Sequence, residues 1–150
     1  ALSKTGSACT WESTIEGPPN VPTNIEDLGG RLVNNNSMFV IETVGLCIVH
    51  ISHLHHVLSK DQLRDLGRVD IAFAQIDGMW SMSHQELFEV LDRIKPRLII
   101  PMHFGSMGGV EAFVAKAGAM WRVRRHGGSS IELTLRDLPR KTEVLFLQGY

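Results

Sequence analysis

A chain of 150 residues with a formal net charge of −1 is long enough for one domain and carries no field that would draw it to nucleic acid or an anionic membrane. Its 43% hydrophobic and 21% charged residues are those of an ordinary globular protein, and no window approaches the roughly eighteen apolar residues of a membrane span. Nucleic-acid and membrane partners are excluded as first readings. The amino-terminus lacks the charged-then-apolar order of a signal peptide. The two cysteines, Cys9 and Cys47, have no metal-type spacing, and Cys47 falls in an apolar strand. Reduced, core-like thiols are therefore expected, and with them a reducing, cytoplasmic setting.

Residues 1–36 are rich in Gly, Pro, Asn, Ser and Thr with little periodicity, so they read as loop, surface wrap or a severed piece of something larger. Regular patterning begins at Ser37. "SMFVIET" and "GLCIVHIS" predict two strands joined by a tight Val44-Gly45 turn. Ser59 with Gln62 forms a capping box, Leu63 and Leu66 supply an apolar helical face, and Gly67 supplies the stop. "VDIAFAQI" is a nearly continuous apolar run, as in a strand covered on both faces. The cycle repeats: Ser83 with Glu86 caps a helix carrying Leu87, Val90, Leu91 and Ile94, and Pro96 ends it before the strand "RLIIPMH". A third helix is expected from about Gly109 to Lys116 with Gly118 as its cap, then strands near "MWRVRRH", "SIELTLRDL" and "TEVLFLQ". Two strands followed by alternating helix and strand predict an α/β layered domain. The expected division is an irregular 1–36 and a folded 37–150.

In such sheets ligands gather beyond the carboxyl ends of the strands. Three strand ends converge there: the cluster His50, His53, His55, His56 after "LCIV", Asp77-Gly78 after "VDIAFAQI", and His103 after "RLIIPM". Neutral imidazole is a strong ligand for zinc and similar metals, and a site needs three or four donors from different segments. His53, His55 or His56 can converge with His103, with Asp77 as a carboxylate candidate. Because strand residues alternate faces, at most two of the clustered histidines belong to one site. Each competes with a solvated position; His103, alone after an apolar strand with Gly105 beside it, is the better candidate. His84 reads as exposed in the first turn of a helix, and His126 as ending a strand. Asp77-Gly78 is more often a turn than a ligand. Met79, Met82, Met102 and Met107 read as core filler near the site, and Ser81, Ser83 and Ser106 lie in no nucleophile elbow.

The run "NNSMFVIETVGLCIVHISHLHHVLSKDQLRDLGRVDIAFAQIDG", followed by "ELFEVLDRIKPRLIIPMHFGS", resembles the carboxyl-terminal half of the metallo-β-lactamase superfamily, in the lactonase-like branch related to ascorbate-6-phosphate lactonase. The resemblance covers about Asn35 to Tyr150. It implies an αββα sandwich of which this chain is the carboxyl-terminal half, and hydrolysis through one or two ions of zinc or manganese. His103 matches the family's final histidine ligand. The family's "H-x-G-D-x-G-H" reads "HISHLHH" here: His50 and His56 keep the outer histidines, Ser52 stands for the glycine, and His53 stands for the metal-bridging aspartate. A single imidazole cannot span two ions, so the resemblance implies one ion rather than two, held by His103 and His53. His53 and His56 are the implied catalytic side chains. The family's His-x-His-x-Asp-His signature is absent, since no histidine precedes His50.

Two functions stand open. One is a metal-dependent hydrolase of a small ester, lactone or phosphoester, incomplete or degenerate in this chain. The other is a non-catalytic binding or assembly module derived from the same fold. A half-sandwich leaves an apolar face uncovered, so a homo-oligomer, or association with a missing amino-terminal half, is expected.

Overall fold

A computed structural model describes Cys9 and residues 20–27, 30–78, 80–105 and 107–148. Met79, Ser106 and most of the opening segment lie outside the described residues. The elements run β1 (Asn20–Asp27), β2 (Gly30–Thr43), β3 (Leu46–His50), α1 (Lys60–Leu66), β4 (Ile71–Gln75), α2 (His84–Ile94), β5 (Leu98–Met102), α3 (Met107–Met120), β6 (Arg122–Arg125) and β7 (Glu143–Phe146). The strands form one seven-stranded sheet in the order β1-β2-β3-β4-β5-β7-β6. β1, β2 and β3 pair antiparallel, and from β3 onward every pairing is parallel.

The predicted hairpin forms, with Thr43 opposite Leu46 and both turn residues, Val44 and Gly45, at positive φ, as a two-residue turn matched to strand twist requires. Both capping boxes also form: Gln62 N donates to Ser59 Oγ and Ser59 N to Gln62 Oε1, and Ser83 and Glu86 repeat the exchange. α2 stops at Lys95, whose left-handed φ of 54° turns the chain just before Pro96.

β3, β4 and β5 step across the sheet in one direction. Right-handed crossovers then place α1, α2 and α3 on one face. Leu66, Leu87, Phe88, Val90, Leu91, Val110, Phe113 and Ala117 pack there against Val49, Ala72, Ala74, Ile99 and Val144 in the main core. The opposite face carries a smaller cluster of Leu46, Ile71, Leu98, Ile100 and Leu145, covered by Leu138 with Ile131 and Leu133. Toward β2 that second face lies open, with Phe39 44% and Ile41 49% exposed, although Ile41 stands opposite Ile48 and Phe39 opposite His50.

Four expectations are corrected. Residues 20–27 and 30–36 are paired strand rather than loop: Val21 and Thr23 are buried, and the register shift between Thr23 and Ile25, whose extra residues lie in β2, breaks the period-two pattern that would have marked 30–36. β2 runs without a break across residue 36. α3 extends from Met107 to Met120 with Gly118 inside it, because Val110, Phe113 and Ala117 fall on one buried face and that burial outweighs the roughly 1 kcal/mol cost of a helical glycine. "SIELTLRDL" forms no strand: Arg97 donates to the carbonyls of Leu135, Leu138 and Pro139, which a ladder would have used. Within that segment Thr134 donates to Asp137, and this side-chain hydrogen bond, helped by the Thr134 backbone N–H, holds the Asp137 carboxyl below its usual value.

The fourth correction concerns the thiols. Cys9 and Cys47 form a disulfide that ties the opening segment to the start of β3. Cys9 O also accepts from Arg68 N. The expectation of reduced cysteines fails, and the cytoplasmic reading loses the thiol argument behind it. No helix among the described residues is long and apolar enough to cross a membrane.

Candidate functional site

Three parallel strands, β3, β4 and β5, lie side by side and release the chain at the same edge. The exits are sharply bent. Ser52 (φ 54°) and His103 (φ 52°) are left-handed, as are Gly78 (φ 68°) and Gly105 (φ 63°). A left-handed non-glycine residue costs roughly 1–2 kcal/mol, and such strain concentrates where side chains must be aimed. Ser52 occupies the position at which the family motif has glycine.

Past β5, His103 Nδ1 stands 2.6 Å from Asp77 Oδ2. A carboxylate only accepts, so in the neutral imidazole the proton sits on Nδ1 and Nε2 carries the lone pair. Asp77 is itself fixed: its side chain is 1% exposed, and Oδ1 accepts from Trp80 N at 2.9 Å and from the N–H and hydroxyl of Ser81 at 3.2 Å. Asp77-Gly78 is therefore both turn and functional brace. Gly105 fits against this pair, since a Cβ there would come within 3.2 Å of Asp77 Cβ. His103 is 45% exposed in its side chain, which leaves its outer nitrogen accessible.

Past β3, the His53 ring meets the His103 ring edge to face, with centroids 5.5 Å apart. Gln75, the last residue of β4, lies 3.5 Å from His53 Nδ1 through its amide nitrogen. The structure thus brings together His53, His103 and Asp77. It holds His56 elsewhere: His56 Nε2 accepts from Asn24 N at 3.0 Å and Nδ1 stands 3.0 Å from Val57 O, so both ring nitrogens engage backbone beside β1. His50 Nδ1 accepts from Ser52 N, inside the bend it precedes. His84, expected to be exposed, is half-buried, donates from Nε2 to Ile76 O at 2.9 Å and packs against Phe113. It supports the Asp77 loop from behind, where Gly78 leaves room for it. Met82 is core, as expected.

Sequence reasoning missed Gln75. Its signal was one amide at the end of an otherwise apolar run. Asp77, a carboxylate candidate that reads more readily as a turn, stands behind the histidine.

Zinc-type chemistry suits this donor set in part. A metal-ligating histidine commonly donates its other N–H to a carboxylate, which fixes the tautomer and raises its basicity, and Asp77–His103 has that arrangement. Among the described residues, however, no three of His, Cys, Asp and Glu are grouped so as to hold an ion. The described residues therefore offer at most one side of a metal site, at which His103 would be the ligand.

Comparison with known proteins bears on the fold and the family. The family model for the beta-lactamase superfamily domain matches residues 15–103, from ahead of β1 to His103. A UPF0173 metal-dependent hydrolase of Thermoplasma acidophilum is 30% identical over 104 residues, covering 67% of this chain and 46% of its own length. A UPF0173 protein of Pyrococcus abyssi is 35% identical over 65 residues, covering 43% of this chain and 30% of its own. The chain therefore spans less than half the length of the curated relatives it matches. Among solved structures, a candidate Zn-dependent hydrolase of the metallo-beta-lactamase superfamily from Thermotoga maritima superposes with a TM-score of 0.64 at 25% identity, over 89% of this chain and 72% of that one. With the fold and the family match over more than half its length, this chain belongs to the metallo-β-lactamase superfamily.

Proposed function

We propose that this chain carries the carboxyl-terminal part of the active site of a metal-dependent hydrolase that cleaves a small ester, lactone or phosphoester. The observation that carries the reading is the Asp77–His103 pair, a braced imidazole with its outer nitrogen open at the end of a parallel strand. Relatives named metal-dependent hydrolases support it. In this proposal His103 holds one ion, zinc or manganese, with His53 as the second imidazole at its side. Such an ion, when bound, would supply an activated water and polarise the scissile bond. Asp77 keeps the His103 proton on Nδ1, and the left-handed bends at Ser52 and His103 aim the two rings at one another. A catalytic part for His56 requires release of the Asn24 amide, so His56 is the weakest of the site assignments. The remaining donors come from a companion segment. Its docking place is the open second face at Phe39 and Ile41, against either the amino-terminal half of the fold or a second copy.

One observation favours the non-catalytic alternative: His53 replaces the bridging carboxylate, and the described residues offer no third ligand. A panel of lactone, ester and phosphodiester substrates, assayed with zinc or manganese and again after chelation, separates the two. Metal-dependent turnover that disappears in His103→Ala supports the hydrolase. No turnover at any metal concentration with the companion segment present supports the binding module.

A further inference from the structure

We infer that His53 works as a hydrogen-bond donor beside His103 rather than as a second metal ligand, and that Gln75 is the positioning residue that makes it so. The inference rests on the hydrolase reading of these strand ends and assigns opposite roles to their two imidazoles.

The two side chains that govern them leave the end of β4 two residues apart. β4 lies between β3 and β5, so Gln75 serves the histidine leaving β3 and Asp77 the histidine leaving β5. Their chemistry is opposite. The Asp77 carboxylate can only accept, which places the His103 proton on Nδ1 and leaves Nε2 as a lone pair. The Gln75 amide nitrogen can only donate, which makes His53 Nδ1 the acceptor and places the His53 proton on Nε2. Two rings 5.5 Å apart and inclined at 72° then present one lone pair and one N–H. That combination suits an oxygen held beside His103: the carbonyl oxygen of an ester or lactone, or a phosphoryl oxygen, accepts from His53 Nε2–H as it gains negative charge.

Gln75 has no better explanation in the packing. It is 5% exposed in an apolar strand, and its Oε1 is buried with no hydrogen-bond partner among the described residues. An apolar side chain of similar volume would avoid that unmatched oxygen. What the amide provides is the contact with His53. A carboxylate in the place of His53 would repel electron-rich oxygen, whereas an imidazole N–H attracts it.

The test is the tautomer of each ring in the metal-free chain, read from long-range nitrogen–proton NMR correlations of histidine-labelled protein at a pH where imidazoles are neutral, with His53→Gln and His103→Gln used for assignment. The inference expects Nε2–H on His53 and Nδ1–H on His103. It also expects Gln75→Glu, which can only accept, to move the His53 proton to Nδ1, and Gln75→Leu to leave a mixture. Zinc should then perturb the His103 nitrogens and leave the His53 Nε2–H in place. An Nδ1–H on His53 in the parent protein, or loss of its Nε2–H on adding zinc, overturns the inference. The parent and Gln75→Glu spectra decide the matter if Gln75→Leu does not fold. Tautomers as stated with no response to zinc would instead sink the metal reading and leave the assignment of His53 standing.

Discussion

Asp77 and His103 lie 26 residues apart in the chain yet meet at 2.6 Å, each at the exit of its own parallel strand. Neither strand alone makes the contact. It follows from the adjacent, in-register pairing of β4 and β5, with Gln75 opposite Met102. Replacing Asp77 by Asn keeps the size of the side chain but removes an obligatory acceptor, so His103 loses its fixed tautomer. Zinc affinity should fall about 10- to 100-fold, as for other partners behind a metal-bound histidine, while the unfolding midpoint changes little. Competition titration against a chromophoric chelator measures the first and urea denaturation the second.

Ser52 gives a prediction of the opposite sign. Its φ of 54° is a conformation that glycine adopts without steric cost. Ser52→Gly should stabilise the chain by about 0.5–1 kcal/mol, the relief of left-handed strain less the extra entropy that glycine loses on folding. A shift of the urea midpoint to lower concentration would show that the Ser52 side chain has a role not seen in its backbone.

Gly105 is constrained twice, by a φ of 63° and by the Asp77 Cβ that a methyl group would meet at 3.2 Å. Gly105→Ala should destabilise by about 1–2 kcal/mol from the backbone alone. It should also weaken zinc binding, because Asp77 has to move from beneath His103. Lower stability with unaltered affinity would show that the brace tolerates displacement.

The disulfide closes a loop between positions 38 residues apart. Cys47→Ala should cost about 2–4 kcal/mol. Reductant should lower the urea midpoint of the parent by a similar amount and leave that of the variant unchanged. Identical midpoints for parent and variant without reductant would mean that the opening segment contributes nothing to the fold.

Much of the architecture was legible because local and global signals coincide. Ser59 and Gln62, Ser83 and Glu86, the Val44-Gly45 turn and the apolar runs of β4 and β5 each mark an element through a different physical cue. The misreadings have the reverse cause. The register shift opposite Asn24 hides the first half of β2, the burial of Phe113 and Ala117 carries α3 through Gly118, and Arg97 captures carbonyls in a segment whose alternation mimics a strand. At the site, His103 and His53 stood out by type and position at strand ends. Their partners did not, since an aspartate before glycine signals a turn and one glutamine in an apolar run signals nothing. The disulfide joins a patternless segment to a strand, so spacing could not reveal it.

The central claim is that the braced imidazole of His103 holds a metal ion. The most direct measurement is metal content by plasma mass spectrometry of the purified chain after zinc loading and desalting, for the parent, His103→Ala and His56→Ala. The account predicts equal zinc retention by the parent and His56→Ala, and loss of most of it in His103→Ala. Zinc retained at parental level by His103→Ala, or none bound by the parent, would contradict it.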